Sequence, residues 1–304
     1  MDKKSYGYLG PPGTFSEMSA LKYSRACDKI IPYQTIREVV EKVSEGEIQR
    51  GIIPLENSQE GSVNLSLDLL LNKSDLKIIG EVIIPIEHYL LVPSDLEMED
   101  IREIYSHPQA IAQTRDFIYK HLPEVDLNYT DSTASAAELI LDSDHKAMIG
   151  SKRINELYDL KVLAQNIEGE LENQTRFIII APENESDSYN NEISEEIFKT
   201  SIVCAPDVNR PGVLYEILGE FANRKIDLTR IESRPTKKRL GQYLFYIDLA
   251  GNCNQEQVAQ ALKKVEKMCR LFKVLGSYPR DDQNDEKSKR RGGKDVTEKR
   301  RVTK

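Results

Sequence analysis

The chain reads as an α/β protein in two parts, on three observations. Short apolar runs such as 51–55 and 177–180 border polar loops that lead to helical stretches, the alternation expected of strands covered by helices. A segment from 182 to 196, rich in Asn, Ser, Asp and Glu, has little to bury and divides the chain as a linker. Beyond it, residues 199–279 follow a compact strand–helix–strand–strand–helix–strand pattern, βαββαβ.

The bulk numbers agree. At 304 residues the length suggests roughly two domains, and 39% hydrophobic against 30% charged residues still leaves enough to bury a sizeable core. A net charge of -8 and the absence of Trp argue against nucleic acid, which calls for clustered Lys and Arg. No stretch approaches about 20 apolar residues, so no membrane span is expected. The N-terminus enters a strand with no apolar signal core. Four scattered cysteines, Cys27, Cys204, Cys253 and Cys269, read as reduced thiols of a cytoplasmic protein. His88, His107, His121 and His145 make no ligand pattern either, so a metal enzyme is not expected.

In chain order, a strand at 6–9 meets Gly10-Pro-Pro-Gly-Thr14-Phe-Ser16-Glu17 and then a helix to about residue 25. Backbone N–H groups at such a helix start suit a carboxylate or phosphate. Thr35 and Glu38 form a capping-box pattern, and Ile36, Val39, Val40 and Val43 make one apolar helix face. The buried strand at 51–55 runs into the wholly polar 56–62, which opens a helix at 63–71. Ligands of open α/β sheets sit beyond such strand ends. The apolar run 81–92 is the expected crossing into a second lobe.

That lobe reads strand (101–105), then Ser106-His-Pro108 with Pro108 as a first helical residue. Gln109 and Gln113 share a face of this helix, while Ile111, Phe117 and Ile118 face the core. Residues 131–135 are expected to cap the next helix, 146–150 to form a strand, and Ser151 to cap another helix. The chain then returns through 161–164, so the first lobe is expected from two pieces, about 5–80 and 162–181, with the second at about 81–161.

The return ends in Glu172-Asn-Gln-Thr-Arg176 before the apolar 177–180, a strand expected to be buried on both faces. A rigid strand with a carboxylate, amides, a hydroxyl and a guanidinium at its mouth can fix a small anion. In the last module, helices at 212–224 and 255–269 carry apolar faces, and strands are expected at 201–205, 226–233, 242–249 and 271–275. The charged run 280–304 is expected to be a disordered tail.

Taken together these stretches resemble the prephenate dehydratase family. The motifs are Gly10-Pro-Pro-Gly-Thr-Phe-Ser16, Pro54-Leu-Glu-Asn-Ser58, Ser106-His-Pro-Gln109 with Gln113, Ser132-Thr133-Ala-Ser135 and Thr175-Arg176-Phe177. The C-terminal module resembles an ACT domain, with Glu232-Ser233-Arg234-Pro235 as its second effector motif. Gly212-Val213-Leu214-Tyr215 stands in place of the usual Gly-Ala-Leu-Val. The resemblance implies a two-lobed catalytic region of the type II periplasmic-binding-protein fold (5–181), a linker (182–198) and an ACT domain (199–279). Because its first residues already match the dehydratase pattern, the chain reads as monofunctional.

The implied reaction removes the ring carboxylate and ring hydroxyl of prephenate to give phenylpyruvate; aromatisation drives it, so the resemblance implies no cofactor. Thr175 is the residue expected to hydrogen-bond the departing hydroxyl and to relay a proton from water or from Glu56, with Asn57 and Gln113 beside it. Arg176, with its rigid fork of donors, is expected to pair a substrate carboxylate. Phe177, Thr14, Ser106, Ser132 and Thr133 are the further substrate-binding residues. The resemblance also implies L-phenylalanine as feedback inhibitor, bound between paired ACT domains of a homodimer or homotetramer. Arogenate as substrate, or a non-catalytic amino-acid sensor, are the alternatives that the motifs leave open.

Overall fold

The structure is a computed structural model that describes residues 3–93, 96–132, 135–169, 172–184, 197–208, 210–236 and 242–281. Its first sheet is built from β1 (Ser5–Leu9), β2 (Lys29–Tyr33), β3 (Arg50–Asn57), β5 (Leu76–Pro85) and β11 (Gln174–Pro182), in the order β2-β1-β3-β11-β5. The short β4 (Gly61–Ser62) pairs with β3. β1 runs parallel to β2 and β3, whereas β11 is antiparallel to β3 and β5.

Helices cover both faces. α1 (Phe15–Tyr23) starts at Thr14, whose hydroxyl accepts the Glu17 N–H at 3.3 Å, and packs over Tyr6, Tyr8, Ile52 and Ile179. α2 (Ile36–Ser44) and α3 (Asn64–Asn72) cover the other face, over Ile53, Leu55, Ile178 and Ile180. Ile36, Val39, Val40 and Val43 are buried, as their spacing predicts. Thr35 accepts from the Glu38 N–H, but the Glu38 carboxylate reaches the Gln34 N–H at 3.0 Å, one residue before the donor of a regular capping box. The alternation Phe177/Ile179 toward α1 and Ile178/Ile180 toward α2 confirms a strand buried on both faces.

The second sheet takes β6 (Tyr89–Val92), β7 (Glu103–Ser106), β8 (Asp126–Tyr129), β9 (Lys146–Gly150) and β10 (Lys161–Gln165), in the order β10-β6-β9-β7-β8. With it go α4 (Pro108–Gln113), α5 (Arg115–His121) and α6 (Lys152–Tyr158). Three expectations change here. β5 stays in the first sheet through Pro85, and the 161–165 strand pairs with β6 rather than rejoining the first lobe. The helix expected after Ser132 is only a 3-10 turn, Ala137–Leu139. The two crossings between lobes brace each other: the Ile86 N–H donates to the Asn173 carbonyl (2.8 Å) and the Ile167 N–H to the His88 carbonyl (3.2 Å).

The C-terminal module comprises β12 (Phe198–Pro206), α7 (Val213–Ala222), β13 (Leu228–Pro235), β14 (Tyr243–Ala250), α8 (Glu256–Lys267) and β15 (Cys269–Pro279). Its antiparallel sheet has the order β13-β14-β12-β15, the βαββαβ arrangement expected. One face carries the helices, with Ile217, Phe221, Val258 and Leu262 against Ile202, Cys204 and Ile247. The other face docks on the first lobe, where Val203, Ala205, Tyr246 and Leu275 share one apolar cluster with Val39, Leu67, Ile78 and Ile178. Most of the expected linker and almost all of the expected tail lie outside the described residues.

The docking is close. A Cβ at Gly276 on β15 would stand 2.1 Å from the Ile78 carbonyl oxygen of β5, a contact no side chain can make. Gly276→Ala is therefore expected to lower stability by roughly 1–3 kcal/mol, as overpacking does. Urea denaturation of the full chain measures this, and an unchanged midpoint would refute the close approach.

Candidate active site

The two lobes enclose a cavity of about 630 Å³. From the first lobe it is lined by the Leu9–Ser16 turn, Asn57 and Thr175, and from the second by Gln109, Gln113, Asp131 and Ser132. Ile86 and His88, on the first crossing, form part of the wall between them.

Thr175 is held from one side. It lies opposite Asn57 in the β3–β11 register, and its hydroxyl accepts from Asn57 Nδ2 at 2.9 Å. Asn57 Nδ2 also donates to Asn173 Oδ1 (2.7 Å), while Asn57 Oδ1 takes the Gln59 and Glu60 N–H groups at 2.9 Å each. Those two backbone donors fix which end of the amide is oxygen. A hydroxyl that accepts from a locked amide keeps its own proton for another acceptor, and Thr175 stands in the cavity wall.

The other expected residues divide. Asn57, Gln113, Thr14 and Ser132 line the cavity with Thr175. The Thr14 hydroxyl is occupied with its helix cap and with the Pro11 carbonyl (3.0 Å), and Ser132 forms a turn with Ser135. Thr133 lies outside the described residues.

Four expectations are corrected. Arg176 does not face the cavity: it is 5% exposed, and its nitrogens bond Glu56 (2.7 Å), Glu81 (3.1 Å) and Asp248 (2.6 Å). Glu56 cannot relay a proton to Thr175, because successive strand residues point to opposite faces and its second oxygen pairs with Arg230 at 2.7 Å. Phe177 is core, packed with Tyr6, Tyr8 and Ile179. Ser106 is buried and donates to the Ile149 carbonyl at 2.7 Å, tying β7 to β9.

Of the expected effector residues, Glu232 bonds Arg230 and Ser62, and Arg234 bonds Asp68 at 2.9 Å, both toward the first lobe. Ser233 and Pro235 alternate outward on β13, and Gly212 takes positive φ (85°) just before Val213 and Leu214 at the start of α7.

Pattern reading passed over His88. It is 3% exposed, its Nε2 lies 2.8 Å from Gln113 Oε1, and its ring meets Phe15 edge-on. With a carbonyl oxygen as partner, Nε2 carries the proton. The bond turns the Gln113 amide so that Nε2, buried and without a protein partner, is its remaining donor. The only clue in the sequence is an imidazole within the apolar crossing 82–92. Burial holds its pKa below the ordinary value, against the smaller raising effects of the Gln113 bond and of Glu168.

A cleft between two α/β lobes, with a βαββαβ module docked behind one of them, is the architecture of a two-lobed ligand-binding protein with an appended small domain. A family model for prephenate dehydratase matches residues 6–185, and one for the ACT domain matches 208–267. The prephenate dehydratase of Methanocaldococcus jannaschii is 41% identical over 281 residues, covering 91% of this chain and 98% of that one. The crystal structure of prephenate dehydratase from Arthrobacter aurescens, in complex with L-Phe, superposes with a TM-score of 0.79 at 35% identity, over 91% of this chain and 90% of that one. GqqA, a quorum quenching acylase of a novel type, superposes with the same TM-score at 26% identity, over 92% and 100% of the two chains. The chain belongs to the prephenate dehydratase family and carries an ACT domain.

Because the buried His88 is harder to protonate than an exposed histidine, the unfolded chain binds the proton first as pH falls below the ordinary value of 6.5. Stability is thus complete above that pH and declines below it until the native ring also protonates. His88→Gln, which keeps a donor toward Gln113, is expected to flatten this part of the stability–pH curve. Thermal unfolding between pH 7.5 and 5 reads it, and identical slopes in the two proteins would refute the assignment.

Proposed function

We propose that this chain is a carbon–oxygen lyase that converts prephenate to phenylpyruvate, carbon dioxide and water, and that L-phenylalanine binding to its ACT domain lowers that activity. The observation that carries the reading is the Asn57–Thr175 pair, a hydroxyl oriented by a locked amide in the wall of an interlobe cleft. The ring carboxylate leaves as carbon dioxide, its bonding electrons complete the aromatic ring, and the ring C–O bond breaks. Hydroxide is a poor leaving group, so the step needs a donor where charge develops on that oxygen. Thr175 supplies it, and a proton from solvent completes the water.

No Arg or Lys stands among the described residues lining the cleft, so the substrate carboxylates are met by neutral donors. These are the amino end of α1, with Thr14, Phe15 and Ser16 in the wall, and the Gln113 amide. Asp131 favours arogenate as a second substrate, since a carboxylate at the cleft can accept an ammonium group. The cleft does not support the acylase activity of GqqA. Amide hydrolysis wants a nucleophile activated by a base, and no cleft hydroxyl bonds a histidine among the described residues.

The ACT domain supports phenylalanine feedback, and the solved relative holding L-Phe supports the identity of the effector. β13 is an edge strand with Ile231 48% exposed, and Tyr215 on α7 is 80% exposed, which favours pairing of modules in a homodimer or homotetramer. No described helix is long and apolar enough to cross a membrane; a cytoplasmic site of action is proposed from the biosynthetic role.

Thr175→Ala is expected to lower turnover of prephenate by about 10²–10³-fold, the usual effect of losing one oriented donor, with an unchanged circular dichroism spectrum. Assaying phenylpyruvate from prephenate and phenylalanine from arogenate, each with and without added phenylalanine, tests the substrate and the feedback together. A wild-type rate in Thr175→Ala would remove the hydroxyl from the mechanism.

A further inference from the structure

Behind the Asn57–Thr175 pair lies a second pair of opposite charge. Arg176 stands opposite Glu56 in the β3–β11 register, one residue along from Thr175 opposite Asn57, and both charged side chains turn away from the cleft. A bulge follows at once, since the register shifts between Arg176 and Phe177. Regular ladder pairing is interrupted there, so side-chain contacts have more to do in fixing the backbone.

Those contacts come largely from the ACT domain. Asp248 of β14 is 2% exposed and takes an Arg176 terminal nitrogen at 2.6 Å. Its other oxygen accepts the Ser201 hydroxyl at 2.6 Å, and Ser201 also bonds the Tyr278 hydroxyl at 2.7 Å. Arg230 of β13 holds the free oxygen of Glu56 at 2.7 Å and donates to Ser62 at 2.7 Å, beside Glu232. Lys199 of β12 closes on both oxygens of Glu81 at 2.8 and 2.7 Å. Three cations (Arg176, Arg230, Lys199) and four carboxylates (Glu56, Glu81, Glu232, Asp248) thus meet where the module docks, with Glu81 and Asp248 buried and Glu56 and Glu232 at the edge. Burial opposes the Asp248 charge, yet Arg176 and Arg230 keep its carboxyl below the ordinary range.

We propose that Asp248 is a positioning residue for the dehydration: from the ACT domain it anchors Arg176, and Arg176 with Glu56 sets the strand pair that holds Thr175 against Asn57. The proposal rests on the dehydratase reading and extends it to regulation. A small displacement of β13 or β14 against the first lobe changes the ion pairs directly behind the cleft, so the state of the module reaches the reacting hydroxyl through side chains that never touch the substrate.

Asp248→Asn removes the charge and keeps the shape. In the full chain, prephenate turnover is expected to fall about tenfold, within the range that a small misplacement of a catalytic group produces, with KM nearly unchanged. In a Thr175→Ala background the same substitution is expected to cost no further turnover, because both act through one hydroxyl. Phenylalanine should still bind, by calorimetry, but change the rate less than in the wild type. A folded Asp248→Asn protein with wild-type turnover and wild-type phenylalanine response overturns the proposal, as does an undiminished loss in the Thr175→Ala background. Arg230→Gln, which releases the other side of Glu56, serves if Asp248→Asn does not fold; the same pattern is expected, and an indifferent Arg230→Gln overturns the proposal. A wild-type chain inactive on prephenate overturns the dehydratase reading itself, whereas an active wild type with indifferent variants overturns the positioning role alone.

Discussion

The antiparallel pairing of β11 with β3 is the constraint from which the site follows. Strand side chains alternate between faces, so adjacent residues on paired strands build two different environments back to back. Thr175 opposite Asn57 faces the cleft, and Arg176 opposite Glu56 faces the module. Shifting the register by one residue would exchange the two faces, placing a hydroxyl among buried ions and a guanidinium in the cavity. The apolar residues that follow, alternating between α1 and α2, oppose such a slip because it would turn each of them to the other face.

Buried ion pairs are weak evidence for net stability, because removing two charges from water costs much of what their attraction returns. The apolar interface does most of the holding: Val203, Tyr246 and Leu275 enter the same cluster as Leu67 and Ile78. The charges contribute selectivity of docking. A planar guanidinium with donors in several directions can meet Glu56, Glu81 and Asp248 at once, which a lysine ammonium, a compact point charge, does less well. The same ions make a misdocked module costly, since a carboxylate such as Asp248 would then be buried without its partner.

The cleft works with different chemistry from the site behind it. Apart from the Asp131 carboxylate, its polar wall groups are amides, hydroxyls, imidazoles and a helix start, set on two lobes joined by a pair of mutually bonded crossings. Such dipoles stabilise developing charge without forming strong ground-state ion pairs, which suits a reaction whose charge moves as the ring becomes aromatic. A second bridge between the lobes, from the Ser151 hydroxyl to the Gly13 carbonyl (2.6 Å) and from Arg153 to Glu17 (3.2 Å), holds the lobes together at the turn lining the cleft.

Local pattern carried most of the strands, most of the helices and the order of the module, because alternation, helical spacing and caps act over a few residues; it passed over β2 and β8, whose short and half-exposed runs show little alternation. It set Asn57 and Thr175 in polar stretches at strand ends, where the structure has them, whereas Gln113, expected within a longer helix, ends α4. It failed where a residue's meaning comes from a distant partner. Arg176 looks like an anion ligand until Asp248, 72 positions later, is seen to hold it. Ser106 and Phe177 carry motif positions yet serve packing. His88 becomes informative only beside Gln113, and the 161–165 strand joins the second sheet because β6 offers it an edge. Short-range preferences decide which face a side chain takes on its own strand or helix; what waits on that face depends on how separate elements pack, and no local run of residues contains that information.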